Sequence, residues 1–162
     1  VSAPVNSLSY RLTTSSGFTL IELMVTIAVL AIIVSIAAPN ISTQLANQRV
    51  KSTTATLTNA LKEAKVESVI RRQKVTLSYD NTSDPRFITT TGSDGSVIAS
   101  YSYTSQSTIR PLSVTTIIFE PSKRVTTART FTICDSNLTA TSRQIVVNKV
   151  ANITIQSGGT CT

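Results

Sequence analysis

Few side chains in this sequence can do covalent chemistry. Among 162 residues histidine and tryptophan are absent, cysteine occurs twice, and eight carboxylates are scattered along the chain. Without an imidazole there is neither a Ser–His type nucleophile nor a His-rich zinc site, and two thiolates are too few for a four-sulfur metal centre. No Gly-rich phosphate loop, dinucleotide motif or paired carboxylates occur. No enzyme activity, cofactor or metal is therefore expected. Three groups remain whose type and place point to binding. Glu22 is the one charge in the run FTLIELMVTIAVLAIIVSIAA, residues 18–38. Cys134 and Cys161 are the two sulfurs able to pair. The third group is basic: Arg71, Arg72 and Lys74; then Lys123, Arg124 and Arg129; then Arg143 with Lys149.

The apolar run around Glu22 is long enough, as a helix, to cross a bilayer at ~20 residues. A buried core helix and a cleaved secretory signal ending at Ser35-Ile36-Ala37 are the competing readings, the latter giving a secreted binding protein released near Ala37. An acid at the start of the run and a single preceding cation, Arg11, fit a secretory signal poorly. An ionised carboxylate in hydrocarbon costs about 2.5–3.5 kcal/mol on insertion scales, so Glu22 needs a partner. No Lys or Arg lies between Arg11 and Arg49. That partner must come from another chain, or from an amino terminus made by cleavage nearby.

The elements that would carry these residues follow from periodicity. Residues 44–72 read as a helix, with Val50, Leu57, Leu61 and Ala64 forming one apolar stripe and Glu67 and Arg71 placed for an i,i+4 pair. Beyond Arg72 the period becomes two. Val75, Leu77 and Tyr79 alternate with polar residues. Strands are expected at 86–91 and 96–104 around a Ser93-Asp94-Gly95 turn, and at 114–119, 130–134, 143–147 and 152–155. Residues 104–113 and 135–142 read as loops. A long helix followed by six or seven strands gives an α+β fold, with a mostly antiparallel sheet on the helix stripe. Pro39 marks a helix break or the end of the span.

The run from Gly17 through Phe18, Thr19, Leu20, Ile21 and Glu22 to Leu23 and Met24 resembles the processing signal of type IV pilins and type II secretion pseudopilins. Residues 61–77 are similar to a passage of the FimT/FimU minor pilins and the H-type pseudopilin, GspH-like, although Lys65 stands where Arg is usual. The resemblance implies a leader, 1–17, removed by a prepilin peptidase after Gly17, and N-methylation of Phe18. It further implies a transmembrane assembly helix over 18–38, an amphipathic continuation over 39–72, and a periplasmic β-rich head over 73–162. Glu22 would pair with the Phe18 amine of a neighbouring subunit, which supplies the missing partner. The implied function is a minor pilin that primes a type IV pilus and sits at its tip, with other minor pilins, the major pilin and the inner membrane as partners. A DNA-binding minor pilin for natural transformation, FimT-like, and an H-type pseudopilin of a type II secretion system are the alternatives.

Two further expectations depend on that placement. In an oxidising periplasm Cys134 and Cys161 should be paired, closing a loop of about 28 residues and contributing roughly 3–4 kcal/mol; one buried and one free thiol is the other arrangement. Without Arg11 and Glu22 the chain carries fourteen basic and seven acidic residues, so the net charge of +7 belongs to the part beyond the span. Such charge favours phosphate contacts, and FimT-type pilins bind DNA in natural transformation through a Gly-Arg-x-Arg motif. That motif aligns with Ala151-Asn152-Ile153-Thr154, where neither Arg is present.

Overall fold

The computed structural model describes residues 17–113 and 115–161, without the side chains of 37–40. The expected leader therefore lies, apart from Gly17, outside the described residues. The chain divides into two compact units, the first to Ala38 and the second Pro39–Thr162.

In the first unit helix α1, Leu20–Ile70, begins. Thr19 caps it: its hydroxyl accepts the N–H of Glu22 at 3.3 Å, and its carbonyl accepts the N–H of Leu23. With Thr at the N-cap and Glu at the third helical position, this is the sequence form of a capping box, which the acid also favours through the helix dipole. Residues 17–36 are exposed throughout. Among the described residues no single helix is long and apolar enough to cross a membrane; Leu20–Ile36 and Ile41–Ile70 pass that test only as a pair, by length and composition. The helical backbone continues through Pro39, and the break expected there involves side chains outside the described residues.

Among the described residues the second unit holds the rest of α1 and nine strands: β1 Val75–Tyr79, β2 Arg86–Gly92, β3 Val97–Tyr103, β4 Ser107–Arg110, β5 Thr116–Glu120, β6 Arg124–Val125, β7 Arg129–Asp135, β8 Arg143–Val147 and β9 Ile153–Ser157. They form two antiparallel sheets, ordered β3-β2-β1-β5-β6 and β4-β7-β8-β9. The expected single sheet of six or seven strands is thus two sheets. Residues 104–113, expected as a loop, contain β4; its four residues give too little alternation to be read from the pattern. The helix ends at Ile70 and not at residue 72, because Arg72 takes a left-handed conformation, φ 53°.

The expected stripe does bury. Val50, Leu57, Leu61 and Ala64 are fully covered and share a core with Val75, Leu77, Ile88, Phe119, Phe131, Ile133, Ile145 and Val147. The two sheets meet through Asn81, just beyond β1. Its amide donates to the Ile109 carbonyl at 2.8 Å and accepts the Ile109 N–H at 3.0 Å, so a side chain replaces a strand. The buried Tyr103 hydroxyl donates to the same amide oxygen, and burial raises its pKa.

On β7 both faces are covered from Phe131 to Asp135. The inner face meets the core. The outer face is covered by the C-terminal tail, which crosses β8 to reach β7. The Gly158 N–H donates to the Ser142 carbonyl at 2.9 Å, and the Ser142 hydroxyl donates to the Gly159 carbonyl at 2.8 Å. A Cβ on Gly159 would come within 2.7 Å of Thr132 and 2.8 Å of Gln144. Cys161 then closes the disulfide with Cys134, with Cα atoms 5.8 Å apart. The expected pairing is therefore present, and it fixes the tail on the sheet.

Candidate functional site

Two regions carry the residues singled out in the sequence. The first is the start of α1. Gly17 and Phe18 precede the cap, Phe18 is 80% exposed, and Glu22 lies in the first turn. Among the described residues no cation lies within ion-pair distance of Glu22. Exposed aliphatics surround it along the helix, among them Leu20, Ile21, Leu23 and Val25, with Thr19 and Thr26 the nearby polar residues. An apolar helix with one acid near its amino end can pack against similar helices and offer a carboxylate to a cation brought by one of them.

The second region is the end of the head where α1 stops. Several backbone and side-chain links converge there. The Ser68 hydroxyl reaches the Glu120 carbonyl, the Lys65 ammonium donates to the Ala151 carbonyl at 2.8 Å, and the Val125 N–H donates to the Lys149 carbonyl. These links bring together Arg71, Arg72, Lys74, Lys123, Arg124 and Lys149, which are all exposed. Arg71 is held by Glu67 at 2.6 Å and Lys74 by Glu120 at 3.5 Å, whereas Arg72, Lys123, Arg124 and Lys149 make no ion pair among the described residues. Arg129 opens β7 and lines a separate cavity with Thr116, Ile117, Ile118, Thr126 and Thr127. Arg143 stands opposite Ser157 at the other end of β8 from Val147, so it shares no cluster with Lys149.

Among the described residues three other than glycine have positive φ, and all lie at this pole: Arg72 at 53°, Lys123 at 60° and Ala151 at 51°. Such a conformation costs an L-residue roughly 1–2 kcal/mol. Ala151 occupies the place aligned with the glycine of the Gly-Arg-x-Arg motif. Ala151 takes this conformation without being a glycine, and the Lys65 ammonium holds its carbonyl.

Sequence reasoning passed over the Arg49–Asp135 pair. The guanidinium grips both carboxylate oxygens at 2.8 Å across 86 positions, and the Asp135 side chain is fully buried. Burial pushes the Asp135 pKa up, but the Arg49 bonds and the Asn137 N–H outweigh it and the net shift is downward. No local signal marks so distant a pair. Thr19, by contrast, was findable from the Thr-x-x-Glu spacing.

A long helix packed on antiparallel sheets, with an apolar amino-terminal segment, is the architecture of pilin-like proteins. The family model "Type II transport protein GspH" matches residues 53–151, and "Prokaryotic N-terminal methylation motif" matches residues 12–38. The chain belongs to the GspH family of pilins and pseudopilins, which are structural proteins and not enzymes. Two crystal forms of the type IV minor pilin FimU of Pseudomonas aeruginosa share the fold. The P65 form has a TM-score of 0.58 at 19% identity, covering 69% of this chain and 99% of that one; the P21 form has 0.52 at 19%, covering 78% and 99%. No curated protein sequence matches the chain.

Proposed function

We propose that this protein is a minor pilin that primes a type IV pilus and is incorporated at its tip. The observation that carries the reading is Glu22 in the capped first turn of an exposed apolar helix, five residues after Gly17. Prepilin peptidase cuts after Gly17, Phe18 becomes a methylated amino terminus, and the inner membrane holds residues 18–38 with the head in the periplasm. On assembly Glu22 accepts the Phe18 amine of a neighbouring minor or major pilin, in a water-poor interface where opposite charges attract strongly. Pro39 lies where the anchor meets the head.

Deleting the gene in its native host tests the priming role. Surface pili should fall to a small fraction of the normal number and return on complementation, with the protein at low copy in sheared filaments. Normal piliation without the protein would reject it.

The gathering of Arg72, Lys123, Arg124 and Lys149 at one pole favours a second reading, a minor pilin that binds incoming DNA. Phosphate contacts make such binding fall steeply with salt. The purified protein should then retard DNA at low salt, and Arg72→Ala with Arg124→Ala should weaken retardation; no retardation at low salt removes this reading.

A further inference from the structure

The second sheet ends at a strand edge that nothing among the described residues closes. β9 pairs with β8 over all five residues without irregularity, and among the described residues no backbone group of the chain pairs with its other edge. The tail does not cover this edge, because the disulfide carries it across the outer face to β7. Natural edge strands are protected by charge, proline, bulges or shortness. β6 has two residues, β4 has four and ends before Pro111, and β3 pairs through a bulge at Thr90/Thr91. β9 reads Ile-Thr-Ile-Gln-Ser and has none of these protections.

The face of β9 that turns toward the core is covered only at its start, where Ile153 packs against the core. Directly opposed residues share a face, so Ile153 and Ile155 lie on the side of Val147 and Ile145, which are fully buried. Ile155 nevertheless remains 48% exposed. Two bonds place the helix beside this strand pair: Lys65 to the Ala151 carbonyl at one end, and the Thr141 N–H to Asn47 at the other. By the 3.6-residue period, Lys51, Ala55 and Lys62 lie on the helix flank next to the Lys65 side. All three are exposed, and neither lysine has an ion pair among the described residues.

We infer that this edge is a docking site for an extended segment of another subunit of the filament, added as a fifth strand of the sheet. Main-chain hydrogen bonds to β9 provide the pairing. One apolar side chain of the incoming strand covers Ile155 over Ala55, and its acidic side chains face Lys51 and Lys62. Charge decides between this occupant and a second copy of the chain, since two heads of net charge +7 repel. The partner segment is therefore short, β-forming and acidic. The filament setting rests on the reading under Proposed function; the edge and its chemistry do not.

The test uses the full-length protein in its native host, with a photoreactive benzophenone amino acid replacing Ile155. Irradiation during assembly should give one adduct whose cross-linked peptide lies in an extended, acidic segment of a different pilus subunit. Lys51→Glu combined with Lys62→Glu should reduce that adduct at least tenfold while the disulfide still forms. A self-adduct of twice the mass, a cross-link to a segment without acids, or insensitivity to the charge reversal would overturn the inference. So would the lack of any adduct while the protein is present in sheared filaments. If the acidic adduct forms but sheared filaments lack the protein, the edge site stands and the minor-pilin reading fails. If both are missing, both fail.

Discussion

Asp135 shows how one residue decides the register of an entire contact. Its side chain is buried and would be costly as a charge, yet Arg49 on the helix meets it with two bonds and so ties α1 to the end of β7. Arg49→Met should destabilise the protein by about 3 kcal/mol in denaturant unfolding, because a buried charge is left alone, and adding Asp135→Leu should recover most of that loss. The same pair gives a pH dependence. The Asp135 pKa is lower folded than unfolded, so its stabilisation is complete above the unfolded value of about 3.9 and is lost as pH falls through the folded one. Asp80, held at about 2 by the Thr82 hydroxyl and N–H and by Ser83, is lost over the same acid range. Asp135→Asn should flatten the acid limb of the stability curve. A residue-scale change of opposite sign is available at Arg72: with φ at 53°, Arg72→Gly should raise stability by about 0.5–1 kcal/mol.

At the scale of elements, the tail behaves as a strap across the second sheet. Replacing both Cys134 and Cys161 by Ser should lower unfolding stability by roughly 3–4 kcal/mol, and amides near Gly158 and Thr132 should exchange faster with solvent. How legible each element was depended on its length and on the reach of its contacts. The helix stripe at Val50, Leu57, Leu61 and Ala64 was readable because burial repeats with the helical period, and the β2–β3 hairpin because Asp94 and Gly95 mark its turn. β6 was not readable, since two residues carry no period. The division into two sheets was hidden as well. The sheets are joined by Asn81 reaching Ile109, a contact across 28 positions that no local window contains. The basic groups were read as three runs along the sequence, whereas the fold joins Arg72, Lys123, Arg124 and Lys149 at one pole and leaves Arg143 at the opposite end of β8.

For the whole molecule, the hydrophobic and basic halves of the composition separate into different jobs. The aliphatic residues of 18–36 are exposed in the isolated chain, an arrangement that makes sense only if lipid or other helices cover them. The net charge of +7 resides on the folded head. On the proposed reading, assembly depends on a single carboxylate that is costly in lipid and satisfied in the filament. The most direct measurement is a comparison of Glu22→Ala with wild type, following the protein in the inner-membrane fraction and in sheared surface filaments. The variant should be processed and retained in the membrane at normal level while its amount in filaments falls at least tenfold. Equal incorporation of the variant and the wild type would contradict the account.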